Sequence, residues 1–142
     1  MTHVVVTGAS SGIGAALVAE FVRSGAAVTL VARRRAEMEA LTATLHGKTQ
    51  IFAVDLSDPA TALSFLEPAQ QAFGPVDVLI NNAGQQIVEP AEEHDPIALQ
   101  RMLSLNLTVP LMLTRAVLPA MLARGRGTIV DVASVGALAP TP

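Results

Sequence analysis

The sequence of 142 residues contains no cysteine, tryptophan or tyrosine, and four phenylalanines are its only benzenoid side chains. Without cysteine, the chain forms no disulfide bonds and offers no thiolate ligands to a metal. Its 9 basic and 12 acidic residues give a net charge of −3 at pH 7. Because binders of nucleic acid or of anionic membranes carry basic surfaces, we expect neither partner, and the composition favours small molecules or self-association.

The amino terminus also lacks the basic and apolar regions of a signal peptide, since residues 4–6 already form an apolar strand pattern. We therefore expect a cytoplasmic protein. The most apolar segment, residues 102–122, contains Arg115 and two prolines, which a membrane-spanning helix disfavours. We interpret it as a helix buried on two sides within the protein. The histidines lack ligand spacing, so we expect no metal site and surface positions for His3, His46 and His94.

Strand and helix patterns alternate along the whole chain. Helical spacing, N-caps and glycine stops predict helices after each of the first four strands. The alternation is typical of an α/β fold, a Rossmann-type doubly wound parallel sheet. We expect the strand order 3-2-1-4-5 in one domain over residues 1–142. The predicted strands are residues 4–6, 26–32, 50–54, 76–80 and 128–133, and the predicted helices are residues 15–22, 33–45, 58–73 and 95–124.

A glycine-rich segment, Thr7-Gly8-Ala9-Ser10-Ser11-Gly12-Ile13-Gly14, joins the first strand to the first helix. Glycine permits positive φ and close approach of a ligand, and the first turn of a helix offers unpaired N–H groups. Together with the helix dipole, these groups suit a pyrophosphate. The spacing is G-x-x-x-G-x-G rather than G-x-G-x-x-G, and a turn that only packs strand against helix is the alternative.

The residues after the second strand are cationic. Dinucleotide-binding folds usually place a carboxylate there for the ribose hydroxyls, whereas this chain has Arg33, Arg34 and Arg35. Three cations at a helix N-terminus oppose the helix dipole, so we expect an anion beside them, although a solvated cationic face is the alternative. A ribose 2′-phosphate fits. We therefore expect NADP(H) to be preferred, with NAD(H) possible, and Arg33 ahead of Arg34 as its contact.

Polar residues follow the other strands. Asp55 either caps a turn or, because Asp58 is the better cap, is free to accept a hydrogen bond from an adenine amino group. Residues 81–84, Asn-Asn-Ala-Gly, form either a turn or a tie between strands beside a space for a cofactor ribose. Asn106 lies in the apolar helix, where a satisfied core asparagine is the alternative, and Ser134 ends the last strand.

With these motifs in this order, the whole chain resembles the compact subgroup of the short-chain dehydrogenase/reductase family. Residues 7–14 are similar to its glycine motif, residues 81–84 to its N-N-A-G motif, and Ala133-Ser134 to its Ser-Ser or Ala-Ser pair. The resemblance implies that Ser134 hydrogen-bonds the substrate carbonyl and that Asn106 holds a water in a proton relay. It implies cofactor contacts at Gly8, Ser10, Ser11, Gly12, Ile13, Gly14, Arg33, Arg34, Asp55, Leu56, Asn82, Ala83 and Gly84.

Three features depart from the family pattern. Members that prefer NADP often carry a basic residue in the glycine motif, where Ser10 and Ser11 stand here, and Asp131 replaces a common asparagine. In the family, the catalytic tyrosine lies more than eight residues after the serine, and a lysine lies four residues beyond the tyrosine. Only eight residues follow Ser134 in this sequence. This chain has no tyrosine, and its only lysine is Lys48.

We interpret the chain as the amino-terminal part of an NADP-dependent oxidoreductase that acts on a carbonyl or secondary alcohol, inactive by itself. A non-catalytic dinucleotide-binding module is the main alternative, and a sugar-nucleotide epimerase of the extended subgroup is a weaker one. The apolar residues of segment 102–122 cover more of a helix than one sheet face buries. We therefore expect this helix to pair with a second copy in a homodimer or homotetramer.

Overall fold

The computed structural model describes residues 1–134, which include a five-stranded parallel sheet in the order β3-β2-β1-β4-β5. This result confirms the predicted fold class and the predicted strand order. The two central strands, β1 and β4, pair from Val4 beside Val78 to Val6 beside Ile80, so their carboxyl ends lie side by side. The strands are β1 His3–Thr7, β2 Ala27–Ala32, β3 Thr49–Ala53, β4 Val78–Asn81 and β5 Thr128–Asp131.

Helices cover both faces of the sheet, because alternate side chains of each strand point to opposite faces. Val5 packs with α3 and α5 in one apolar layer, while Val4 and Val6 pack with α1 and α2 in the other. The helices are α1 Gly12–Arg23, α2 Arg35–Ala43, α3 Leu66–Phe73, α4 Pro96–Leu103 and α5 Val109–Ala123. A 3₁₀ turn covers Ala91–Glu93, and a π-helical segment, Ser104–Thr108, joins α4 to α5.

The helix predicted over residues 58–73 is wrong in its first half. Asp58 begins a series of turns, and regular helix starts only at Leu66. The Asp58 carboxylate accepts hydrogen bonds from the Ala60 backbone N–H at 3.0 Å and from the Thr61 hydroxyl at 3.1 Å. The prediction that Asp58 is a capping residue is therefore confirmed. The residues that it caps form turns, and only residues 66–73 of the predicted segment form regular helix.

The continuous helix Pro96–Ala123 is, among the described residues, long and apolar enough to cross a membrane, although core helices meet the same test. It packs one side against the sheet, through Val109, Leu113, Val117 and Met121. A second side is exposed as a row of leucines, Leu103, Leu107, Leu111, Leu118 and Leu122. The expectation of a helix buried on two sides is therefore wrong within residues 1–134, where only one side is buried.

His3 lies in the interior, and the predicted surface position is wrong. Its Nδ1 atom is 2.7 Å from the Gly74 carbonyl oxygen, and its Nε2 atom is 2.9 Å from Thr29 Oγ1. A carbonyl only accepts, so Nδ1 carries the proton of the neutral ring and the Thr29 hydroxyl donates to Nε2. Burial lowers the pKa of His3, against smaller raising effects of the Gly74 carbonyl and of Asp77.

The free energy of unfolding should fall as the pH drops below about 6.5, the usual pKa of an unfolded histidine. Below that pH the unfolded chain binds a proton that the folded chain, with its lowered pKa, does not bind until the pH falls further. Urea unfolding at pH values of about 7.5 and about 5.5 measures the change. His3→Gln does not titrate, and an equally large fall in that variant would show that other groups cause it.

Candidate functional site

Two adjoining cavities lie at the carboxyl edge of the sheet. The first has a volume of about 450 Å³, and the second of about 870 Å³. They share Ala83, Gly84 and Gln85, so one elongated ligand can extend from the first into the second. Of the predicted cofactor contacts, all but Gly12 and Gly14 line the first cavity. The second is lined by Asn106 and Ser134 together with Asn81, Gln86, Leu111 and Asp131.

The glycine turn crosses closely over the end of β4. Gly8 has a φ of +67°, and a Cβ atom there would lie 2.9 Å from Cα of Ala83. A Cβ atom on Gly14 would overlap the carbonyl oxygen of Gly8. Gly14 therefore does not line the cavity. It lets α1 pack closely against the turn, and this structural role differs from the predicted cofactor contact.

The first turn of α1 is available to an anion. Ser11 is the N-cap residue, but its side chain makes no capping hydrogen bond, and the first turn contains no acidic residue. The hydroxyl of Ser11 instead accepts a hydrogen bond from Arg34 Nη2 at 2.6 Å, and Ser10 Oγ accepts one from the same atom at 3.0 Å. Arg34 thus brings a positive charge to the glycine turn, where the sequence itself has no basic residue.

Arg33 also lines the first cavity, at the end of β2. Within residues 1–134 it forms neither a hydrogen bond nor an ion pair within 4.0 Å, although its charge acts on Asp55. Arg35, the next residue, points elsewhere and pairs with Glu39 at 3.5 Å on α2. The three consecutive arginines therefore have different surroundings, and Arg33 is the one whose guanidinium has no fixed partner in the described chain.

A hydroxyl fixes the ends of the two central strands. Thr7 Oγ1 donates to the Ile80 carbonyl at 3.2 Å and accepts from the backbone N–H groups of Asn82 and Ala83 at 2.9 and 3.0 Å. Asn82 Nδ2 returns a hydrogen bond to the Thr7 carbonyl at 2.9 Å. This role of Thr7 was not expected from the sequence, where the only signal is a single hydroxyl at the end of a valine strand.

The tie between strands predicted for the first residue of segment 81–84 is confirmed. Asn81 is buried, and its Nδ2 atom donates to Asp131 Oδ1 at 2.8 Å, which joins β4 to β5. The family pattern commonly has asparagine at position 131. A carboxylate can accept this hydrogen bond as well as an amide oxygen can, so the interaction accounts for an acceptor at this position.

Asp55 caps a turn, which was one of the two roles expected for it, and its contact with a cofactor stays a prediction. Its Oδ1 atom accepts from the N–H and hydroxyl groups of Ser57 at 3.0 and 2.7 Å, and its Oδ2 atom is 2.6 Å from Arg101 Nη2. Partial burial raises the pKa of Asp55, but the hydrogen bonds from Ser57 and the charges of Arg101 and Arg33 outweigh it and lower the pKa below its usual value. Asp55 is therefore a charged turn cap at the cavity wall.

Asn106 lies in the π-helical segment, exposed rather than in the core. Its Oδ1 atom accepts from the Gln85 N–H at 2.9 Å, and its Nδ2 atom donates to the Gln85 carbonyl at 2.7 Å. Both amide groups are thus used to hold the chain after β4 against the long helix. Ser134 is the last described residue and lines the second cavity, and the remainder of the predicted domain lies outside the described residues.

Comparison with known proteins agrees with this arrangement. The short chain dehydrogenase family model matches residues 2–142. A short chain dehydrogenase of Pseudocercospora fijiensis is 37% identical over 97% of this chain and 46% of its own length. A fatty acyl-CoA reductase of Mycobacterium tuberculosis is 38% identical over 96% of this chain and 48% of its own length. The chain thus spans about half the length of these curated relatives.

Solved structures show the same similarity. A metagenomic short-chain oxidoreductase in complex with NADP superimposes with a TM-score of 0.91 and 35% identity, over 99% of this chain and 65% of that one. L-Sorbose reductase from Gluconobacter frateurii, complexed with NADPH and L-sorbose, gives a TM-score of 0.89 and 33% identity, over 99% of this chain and 55% of that one. The fold, the motifs and the family match together establish that the chain belongs to the short-chain dehydrogenase/reductase family.

Proposed function

We propose that the protein binds NADP(H) at the carboxyl edge of its sheet and forms the cofactor-binding part of an oxidoreductase. The reaction would transfer a hydride between nicotinamide and a carbonyl or secondary alcohol. One observation carries the proposal: the uncapped N-terminus of α1 and the cation of Arg33 line one cavity, which continues into a second cavity with Asn106 and Ser134. Relatives of similar fold hold NADP or NADPH, which supports it.

Each part of the site has a physical role in this proposal. The N–H groups at the start of α1 and the Arg34 guanidinium neutralise the pyrophosphate, and Arg33 contacts the 2′-phosphate. Ala83 and Gly84 present little side chain, so a ribose can lie between the cavities. When bound, the nicotinamide supplies or accepts the hydride. Ser134 orients the substrate oxygen by a hydrogen bond, and Asn106 fixes the loop that separates the cavities.

The alternative is a dinucleotide-binding module without catalysis. No tyrosine is present in the sequence, and Lys48 directly precedes β3, at the amino edge of the sheet, opposite the cavities. Both functions require the same cofactor cavity and differ only in whether a proton donor is supplied. We further propose a single cytoplasmic domain over residues 1–142 with a small carbonyl or alcohol compound as substrate, and neither nucleic acid nor membrane as partner.

Placing a carboxylate at the start of α1 should weaken binding of NADPH by about tenfold or more, because it repels the pyrophosphate at short range. Ile13 is the second residue of α1, is 61% exposed and lines the first cavity, so Ile13→Asp removes little packing. Titration of the variant with NADPH, followed by nicotinamide fluorescence, gives the dissociation constant.

Ile97→Asp is the matched control for this substitution. Ile97 is the second residue of α4, is 67% exposed and does not line either cavity. We expect the control to bind NADPH like the unmodified protein. Equal binding by both variants, or no binding by the folded unmodified protein, would refute the proposed cofactor site.

We also propose that the row of exposed leucines on helix 96–123 forms a contact with a second copy of the chain. Leu107, Leu111 and Leu122 are more than half exposed, and apolar rows of this length on a surface commonly mark an interface. A contact along the helix accounts for a row that the sheet does not cover. The assembly is a homodimer or, if two such contacts combine, a homotetramer.

Replacing Leu122 by Glu should convert the oligomer to a monomer, because a buried unpaired carboxylate in an apolar contact is strongly unfavourable. Leu122 belongs to the exposed row and lines neither cavity. Sedimentation velocity at micromolar protein concentration measures the molecular mass. Ala116→Glu, at an exposed position of α5 outside the leucine row, should leave the mass unchanged. If the unmodified protein sediments as a monomer, the proposed contact is absent.

A further inference from the structure

We propose that Arg101 forms the outer wall of the adenine end of the cofactor cavity, where its guanidinium group stacks on the adenine ring while Asp55 holds it in place. The inference rests on the proposed function, because it concerns the same cofactor. It concerns a residue on α4, 46 positions along the chain from Asp55, that no motif in the sequence singles out.

The position of Arg101 follows from two neighbours. Its Nη2 atom is 2.6 Å from Oδ2 of Asp55, and Asp55 lines the first cavity together with Leu56 and Ser57. Leu105, one helical turn after Arg101, lines the same cavity from the side of the long helix and packs against the apolar layer. Arg101 does not itself line the cavity, but it stands beside the part of the wall that Asp55 forms, next to the residues that follow β3.

The ion pair leaves the Arg101 side chain partly exposed. Asp55 is anchored at its other oxygen by two hydrogen bonds from Ser57, so Oδ2 is a fixed acceptor for Arg101. The Arg101 side chain is still 53% exposed. A planar guanidinium held at one nitrogen and exposed on its face is suited to stacking on a flat heteroaromatic ring. The exposed ion pair by itself contributes little to folding stability.

The charges distinguish Arg101 from the arginines at the end of β2. The Asp55 carboxylate lies between Arg101, which it contacts, and Arg33, whose charge also acts on it. Asp55 compensates the charge of Arg101 directly. Arg33, without a contact of its own, remains for the 2′-phosphate, whereas Arg101 is placed to act on the base, which NADPH and NADH have in common. The two roles predict different patterns of cofactor discrimination.

The test compares Arg101→Met and Arg101→Lys by titration with NADPH, NADH and reduced nicotinamide mononucleotide, which lacks the adenosine half. We expect Arg101→Met to weaken the binding of NADPH and of NADH by the same factor, about threefold to tenfold, and to leave the binding of the mononucleotide unchanged. Arg101→Lys keeps the charge but loses the planar group, so it should weaken both dinucleotides nearly as much. Arg115→Met replaces an exposed arginine on α5. It controls for loss of one positive charge from the continuous helix 96–123 and should leave the binding of all three compounds unchanged.

Each other result overturns the inference in a recognisable way. Weaker binding of NADPH alone would make Arg101 a ligand of the 2′-phosphate. Equal loss for the mononucleotide would indicate a general change in the fold, which circular dichroism of each variant checks independently. Unchanged binding of all three compounds would show that Arg101 does not contact the cofactor. Failure of the proposed function looks different, because the unmodified protein would then bind neither dinucleotide.

Discussion

The 142-residue chain, expressed alone, should bind NADPH but reduce ketones about 10²–10⁴-fold more slowly than a full-length member of the family, or not at all. Reduction of a carbonyl places negative charge on its oxygen, and a positioned acid must supply a proton within hydrogen-bond reach. Ser134 lines the second cavity, but an aliphatic hydroxyl is too weak an acid to complete the transfer at neutral pH. The expected loss is the usual contribution of one general acid.

Neither a tyrosine nor a lysine of the 142-residue chain is placed for this role. The sequence has no tyrosine, and Lys48 lies before β3, where the Lys48 carbonyl accepts from Val28 N–H at the start of β2. The start of these strands is the amino edge of the sheet, on the side away from both cavities. The arginines around the first cavity stay protonated under physiological conditions, so they do not serve as proton donors.

The measurement is the rate of NADPH oxidation in the presence of a panel of ketones, with NADPH binding determined in the same preparation. Binding without turnover is the expected result, and it leaves the proposed cofactor site intact. A product of the same gene that extends past Pro142 and supplies a tyrosine and a lysine should recover turnover. Comparable rates for the 142-residue chain and for that longer product would show that the proton donor has been assigned wrongly.

The sheet order was predictable because local signals and topology agree. Each strand is a short apolar run, and each polar motif directly follows one, so the motifs had to meet at the carboxyl edge of a parallel sheet. The glycine turn and residues 81–84 lie at the ends of β1 and β4, which pair in the sheet. The two segments are therefore close, and a Cβ atom on Gly8 would lie 2.9 Å from Cα of Ala83. Such information is carried by residue type and spacing, which a sequence displays.

The side-chain contacts that the sequence did not predict join distant segments. Nothing near His3 in the sequence reveals Gly74 and Thr29 as partners, and an isolated histidine is more often exposed. Asp58 is the better cap by sequence, so one of the two roles expected for Asp55 left it without a partner within the protein. Its partner Arg101 lies 46 residues away in the sequence. Arg34 reaches the glycine turn because β1 pairs with β2, and it brings there a positive charge that the turn's own sequence lacks. Side-chain partners of this kind depend on the packed fold rather than on local pattern.

We expect NADPH to bind about tenfold to hundredfold more tightly than NADH, and Arg33→Met to abolish most of the difference. A charge-assisted hydrogen bond between guanidinium and phosphate contributes about 1.5–3 kcal/mol, which corresponds to that ratio. Arg33 is the arginine in the first cavity without a hydrogen bond within residues 1–134, so it can turn to the 2′-phosphate without breaking an existing contact. NADH has no 2′-phosphate, and its affinity should change little.

Neighbouring arginines provide the controls. Arg34 donates hydrogen bonds to Ser10 and Ser11 at the glycine turn. Arg34→Met should therefore weaken the binding of both cofactors through the pyrophosphate and leave the ratio of their dissociation constants largely unchanged. Arg35 pairs with Glu39 outside the cavity, and Arg35→Met should alter neither dissociation constant. Added salt should reduce the preference of the unmodified protein, because mobile ions screen the contact between phosphate and guanidinium. Equal dissociation constants for NADPH and NADH in the unmodified protein would refute the assignment of Arg33, whereas a preference that survives Arg33→Met and disappears in Arg34→Met would transfer the role to Arg34.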